Sequence, residues 1–323
     1  MQRRLCLLAA AQMVWVPGTD ALAQSRTESS GDASVLLVSS DTSSAYVEAA
    51  TSLTLSLAQS GVAVARIRQL QVAEFKAISA LPAGIAPVQI VVTLGAEAAM
   101  ALAAYNGAAP VLCALIPRGS FQRVLQLSGR RVSSRFTALY LDQPLERQFE
   151  LVHLALPKVQ RLGVLLGSES VNRLPALKAL ASEHGFSLAS AQVDSASGVF
   201  SALATVLGAS DVLLALADPA VFNNNSIQNI LLSAFRARIP MVGFSPAYAR
   251  AGALMSLHTT PVQVGVQTAM LVRDALAGLP LPSTPAEADD FEIIVNSHVA
   301  RVLDLDLQPQ KLRQALKSGK HRS

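Results

Sequence analysis

Residues 88–117 read VQIVVTLGAEAAMALAAYNGAAPVLCALIP. The run Val88–Leu94 is apolar nearly throughout, Gly95 interrupts it, Ala96–Tyr105 is rich in strong helix formers, and Val111–Ile116 is apolar again. Strands without a polar face must be covered on both sides, so strand, helix and strand joined by short turns predict a parallel crossover unit. The alternation extends upstream through Val35–Val38, a helix over 44–60 and a strand over Val62–Ile67. Downstream it reaches Phe136–Leu141.

Past Gln143-Pro144 the pattern begins anew. Helices are predicted over 145–156, 174–184, 199–207 and 226–238, alternating with strands over 161–166, 187–193, 212–216 and 241–244. Two such arrays in succession predict an α/β protein of two Rossmann-like lobes with parallel sheets. A last helix near 262–277 precedes the turn-rich LPLPSTPAEADD (279–290), the strand Phe291–Val295 and a helical tail with a basic, solvated end.

The N-terminus follows a different logic. Arg3 and Arg4 precede an apolar run from Leu5 to Val16, then Pro17, Gly18 and Ala21-Leu22-Ala23, the three-part pattern of a cleaved secretory signal. The run is shorter than the ~20 residues that span a bilayer. Residues 1–23 are therefore expected to leave after Ala23, with 24–33 (QSRTESSGDA) as a flexible leader and the mature chain in the periplasm. Cys6 lies too early to receive a lipid at the cleavage point, which predicts a soluble protein.

Loss of Arg3, Arg4 and Asp20 lowers the formal net charge from +4 to +3, too weak and too scattered to point to nucleic acid. Only Cys113 would remain, so no intrachain disulfide can form and stability rests on the core. No G-x-S-x-G, Walker-type or dinucleotide glycine motif is present. His153, His184, His258, His298 and His321 show no metal-ligand spacing, and Cys113 sits in VLCALI as a small hydrophobe would. No cofactor, no metal and no catalytic residue is expected, and the chain is expected to be a monomer.

Ligands of open α/β sheets bind at the C-terminal ends of the strands, where helix N-termini offer free N–H groups. Those ends carry Ser39, Ser40 and Asp41; Gly95, Ala96 and Glu97; Ser168, Glu169 and Ser170 after Gly167; Asp218; and Ser245. Tyr140, Phe222 and Phe244 lie close by, with Tyr46 and Tyr248, and offer a stacking surface. Hydroxyls, backbone donors and carboxylates on two rims suit a polar or zwitterionic small molecule. Asp218 in particular is expected to serve the ligand and not the fold.

The run DPAVFNNNSIQNILLSAFRARIPMVGFSPAYARAGALMSL, with VVTLGAEAAMAL, PKVQRLGVLLGSES and the closing FEIIVNSHVARVLDLDL, resembles the substrate-binding family of ABC transporters whose better-known members take up aromatic amino acids. The resemblance spans the whole mature chain and implies a type I periplasmic-binding fold, with two lobes joined by three crossovers that close on a ligand. It implies lobe one at 33–142 plus 253–285 and lobe two at 143–252 plus 286–323. The connections at 141–144, 251–252 and 285–290 are short or rich in small residues, which predicts hinges there. By the same resemblance Asp218 would pair with a ligand ammonium. A stretch like PGGNVTG, carried by many members, is replaced here by LSGRRVSSRFTALYLDQ (127–143). Three functions compete. The chain delivers a captured ligand to an ABC permease, reports it to a membrane kinase or outer-membrane receptor, or hydrolyses it with Asp41, Glu97 or Glu169.

Overall fold

The computed structural model describes residues 34–79 and 88–319. The expected signal peptide (1–23) and leader (24–33) lie outside the described residues, as does His321.

The first array runs β1 (Val35–Ser39), α1 (Ser44–Gln59), β2 (Ile67–Gln71), α2 (Val72–Ser79), β3 (Ile90–Leu94), α3 (Ala96–Ala103), β4 (Val111–Ile116), α4 (Arg118–Ser128) and β5 (Phe136–Tyr140). Its five strands form one parallel sheet in the order β2-β1-β3-β4-β5. The second array runs α5 (Leu145–Ala155), β6 (Arg161–Leu166), α6 (Leu174–Glu183), β7 (Ser187–Gln192), α7 (Val199–Gly208), β8 (Val212–Leu214), α8 (Ile227–Arg236), β9 (Met241–Gly243), α9 (Pro246–Ala251) and β10 (Met255–His258). Then follow α10 (Pro261–Leu276), β11 (Glu292–Val295), α11 (Ser297–Val302) and α12 (Pro309–Gly319). The second sheet has the order β11-β10-β9-β8-β6-β7, parallel except for the β10–β11 pair.

The inner strands of each sheet are buried on both faces, as their apolar sequences require. On lobe one, α2, α3 and α4 cover Leu36, Val38, Val91 and Phe136, while α1 and α10 cover Val35, Leu37, Val92 and Leu139. The α1–α10 seam is close because Gly265 has no side chain: a Cβ there would lie 2.5 Å from the Ala49 carbonyl oxygen. Thr260 caps α10 through a reciprocal pair with Gln263. On lobe two, α5, α6, α11 and α12 pack on one face, around Phe149, Leu162, Val164, Leu166 and Leu316; α7 and α8 pack on the other.

Three differences from the sequence reading matter. The strand expected at Val62–Ile67 lies later, at Ile67–Gln71, because the edge position beside β1 accepts the more polar IRQLQ. The return to lobe one expected at 253 occurs at Thr259-Thr260 instead. Met255–His258 is buried and fills the slot between β9 and β11, so 253–258 belongs to lobe two, and Gly252 (φ +128°) ends α9 without being a crossover. Finally, Ala286 exchanges backbone hydrogen bonds with Ala138 and Tyr140, which holds it on lobe one and puts the third crossover after it. The crossovers are therefore 141–144, 259–260 and 287–291.

Candidate functional site

On the lobe-one rim the expected residues fasten loops to one another. Ser40 Oγ donates to the Leu94 carbonyl (2.8 Å) and accepts from Ala98 N (2.9 Å), tying β1 to the start of α3. Gly95 has φ +89°, and a Cβ on it would stand 2.7 Å from both Ser40 Oγ and the Tyr46 ring. Asp41 Oδ1 accepts from Thr42 N and Ser43 N in the turn into α1. Ser39 is buried, Ala96 opens α3, and Glu97 is exposed and pairs with Lys76 at 2.8 Å. Burial, then Asp41 and Glu97, raise the Tyr46 phenol above its ordinary range.

On the lobe-two rim Asp218 has a different role from the one expected. It is 1% exposed. Its Oδ2 accepts from Glu169 N (3.1 Å), Ser170 N (2.8 Å) and Ser170 Oγ (2.6 Å), and its Oδ1 accepts from Ala220 N (3.0 Å). The carboxylate is consumed in holding the β6–α6 loop, so it is not offered to a ligand. Ser170 is buried with it, and Ser168 borders a separate groove of about 460 Å³ with Asp194 and Asn223. Ser245 Oγ caps α9 by accepting from Ala247 N. Phe222, Phe244 and Tyr248 pack edge-on or tilted, with Phe222 buried.

The two lobes enclose a cavity of about 80 Å³ beside the crossovers. Pro117, Asp142 and Gln143 line it from the lobe-one side, and Arg173, Phe244 and His258 from the other. Of the expected site residues only Phe244 reaches it. A bulge at the end of β4, where Leu115 has φ +51°, redirects the chain so that Pro117 and Arg118 face this region. Arg118 N donates to Asp142 Oδ2 (2.6 Å), its guanidinium lies 4.3 Å from the Tyr140 ring centroid, and it pairs with Glu287. Tyr140 is thereby held behind Arg118, and burial raises its phenol.

The charges in this cavity are poorly solvated. Burial pushes the Asp142 carboxyl up, against the lowering effect of the Arg118 amide and of Arg173. Burial lowers Arg173 from its ordinary value, and Asp142 opposes that shift. Among the described residues nothing forms a hydrogen bond or ion pair with the Arg173 guanidinium. His258 is pushed down to about 4 by burial and by Arg250, so its imidazole is neutral at physiological pH. Burial pushes the Cys113 thiol up to about 12, which leaves no nucleophile there. Among the described residues no group of three His, Cys, Asp or Glu is placed to hold a metal ion, and no helix is long and apolar enough to cross a membrane.

Sequence reading misses Asp142, Gln143, Arg173 and His258. The first two fall in an expected hinge, and Arg173 follows the loop that supplies Ser168 and Ser170. His258 ends a strand that the sequence does not predict, within a segment (253–285) that it places in the other lobe.

Comparison with known proteins agrees with this architecture. The chain is 24% identical over 185 residues to a tyrosine-binding protein of Clostridioides difficile, and spans about half (52%) of that relative's length. A ligand-free, open substrate-binding protein with adhesive properties from Clostridium difficile superposes with a TM-score of 0.66 at 18% identity, covering 85% of this chain and 95% of that one. A Streptococcus pneumonia ABC domain in complex with L-Trp superposes with a TM-score of 0.59 at 18% identity, covering 87% and 98%. The profile described as ABC transporter substrate binding protein matches residues 85–318. With the two-lobed fold and most of the chain inside that match, the protein belongs to the ABC transporter substrate-binding family.

Proposed function

We propose that the chain captures a small zwitterionic molecule, of the amino-acid class, in the cavity between its lobes and delivers it to an ABC permease from the periplasm. The observation that carries this reading is Arg173, a poorly solvated guanidinium that makes no hydrogen bond or ion pair among the described residues, beside the Asp142 carboxylate. A ligand carboxylate at Arg173 and a ligand ammonium at Asp142 would satisfy both charges without changing the net charge of the site. Phe244 supplies an apolar wall for a side chain. Membership of the family and the tyrosine-binding relative support the ligand class, and the secretory pattern of residues 1–23 supports the compartment.

At about 80 Å³ the cavity is below the roughly 300–1,000 Å³ typical of small-molecule sites, so entry requires the lobes to part. Binding without chemistry is the reading favoured for the carboxylates too. Asp41 holds a turn, Glu97 pairs with Lys76, and Glu169 contacts α4.

Thermal-shift and calorimetric titration with a panel of amino acids tests the proposal. A member of the panel should raise Tm in the parent protein, and Arg173→Ala or Asp142→Asn should abolish that rise while each variant remains folded. Equal binding by parent and both variants would overturn the assignment.

A further inference from the structure

We propose that Glu169 is a latch that holds the lobes together without ligand, and that residue 119 is glycine so that the latch can engage. The backbone of Glu169 is anchored to lobe two through its N–H to Asp218 Oδ2 (3.1 Å). Its side chain crosses to lobe one, where Ser120 Oγ donates to Oε2 at 3.2 Å and Arg123 Nη1 stands 3.7 Å from Oε1. The Glu169 side chain is 9% exposed, although it belongs to neither hydrophobic core. Ser120 and Arg123 of lobe one stand over that carboxylate.

Gly119 supplies the second, independent observation. It lies in the first turn of α4 and has no positive φ that would require glycine. Alanine is the better helix former at such a position. A Cβ there would, however, lie 2.6 Å from Glu169 Cβ and 3.0 Å from the Glu169 carbonyl oxygen. The glycine is thus explained by the neighbouring lobe and not by its own helix. Glu169 does not line the cavity beside the crossovers. The latch therefore sets how much of the protein is closed, and hence affinity for any ligand, without choosing between ligands.

The test uses ligand-free protein, so its outcome is separate from whether the cavity takes a zwitterion. Spin labels at Ala73→Cys and Ser201→Cys report the separation of the lobes. Both positions are exposed and follow the sheet edges far from the crossovers, and buried Cys113 will not label. Glu169→Ala and Gly119→Ala should each raise the open-to-closed ratio about five-fold, which is about 1 kcal/mol at 1.4 kcal/mol per factor of ten. Arg123→Ala, at a largely exposed position, should raise it by less, and Glu97→Ala should leave it unchanged. The latch is overturned if Glu169→Ala, Gly119→Ala and Arg123→Ala all retain the parent distance distribution, or if the parent itself shows only the open separation.

Discussion

Gln143 Nε2 donates to Thr259 Oγ1 at 2.6 Å, which bonds the first crossover directly to the second. The same amide reaches the third through the Asp290 carbonyl (3.1 Å), while Thr259 Oγ1 donates back to the Leu141 carbonyl (3.0 Å). Arg147 completes the cluster through Gln143 Oε1 and the Ala288 carbonyl. Three separate chain segments thus move about one buried polar knot. Gln143→Leu should leave Arg147 and Thr259 short of partners and lower stability by about 2–3 kcal/mol, read from the urea midpoint. An unchanged midpoint would show that the knot contributes nothing.

Asp218→Ala should destabilise the ligand-free protein by about 2–4 kcal/mol, since four buried or partly buried donors lose their acceptor together. Denaturant titration checks this. A loss confined to ligand binding, with the apo midpoint unmoved, would restore the role expected from sequence.

Gly95→Ala should cost about 2–4 kcal/mol, because it combines an unfavourable positive φ with a Cβ 2.7 Å from Ser40 Oγ and Tyr46. A double variant with Tyr46→Ala should recover the part due to crowding by that ring. Failure to recover any of it would assign the effect to the backbone and to Ser40 Oγ.

His258 gives stability a pH dependence of known sign. The unfolded chain takes up a proton as pH falls through 6.5, whereas the folded protein resists until about 4. The unfolded state therefore binds more protons in that window, and stability falls as pH drops from 6.5 toward 4, by about 2–3 kcal/mol once partial solvent screening is allowed for. Asp142 works in the opposite direction, because a carboxyl raised by burial is relieved when protonated. Urea midpoints of the parent and His258→Gln across this range isolate the histidine, and the variant should show the shallower decline.

The fold is largely legible in the sequence because its signal is periodic. Runs such as IVVTL and VLCALI are buried at every position, as parallel strands covered on both faces must be. Edge and terminal elements are harder. Ile67–Gln71 is half polar, and Met255–His258 has only four residues with no period of its own. The site is less legible for a related reason. Ser40, Ser170 and Asp218 are the residue types that ligands use, but they are also the types that close loops, and local sequence does not distinguish the two. Arg173 and Asp142 acquire their meaning only when the lobes bring them together.

The seam between α1 and α10 has a consequence for the order of events during synthesis. One face of the first sheet waits for Val264, Ala269 and Val272, which are made more than a hundred residues after the sheet's last strand. At about 5–20 residues per second the ribosome needs roughly 6–26 s to supply them. Throughout that interval Leu37, Val92 and Leu139 lack their full cover, so the nascent first lobe is a natural client for a chaperone until α10 emerges.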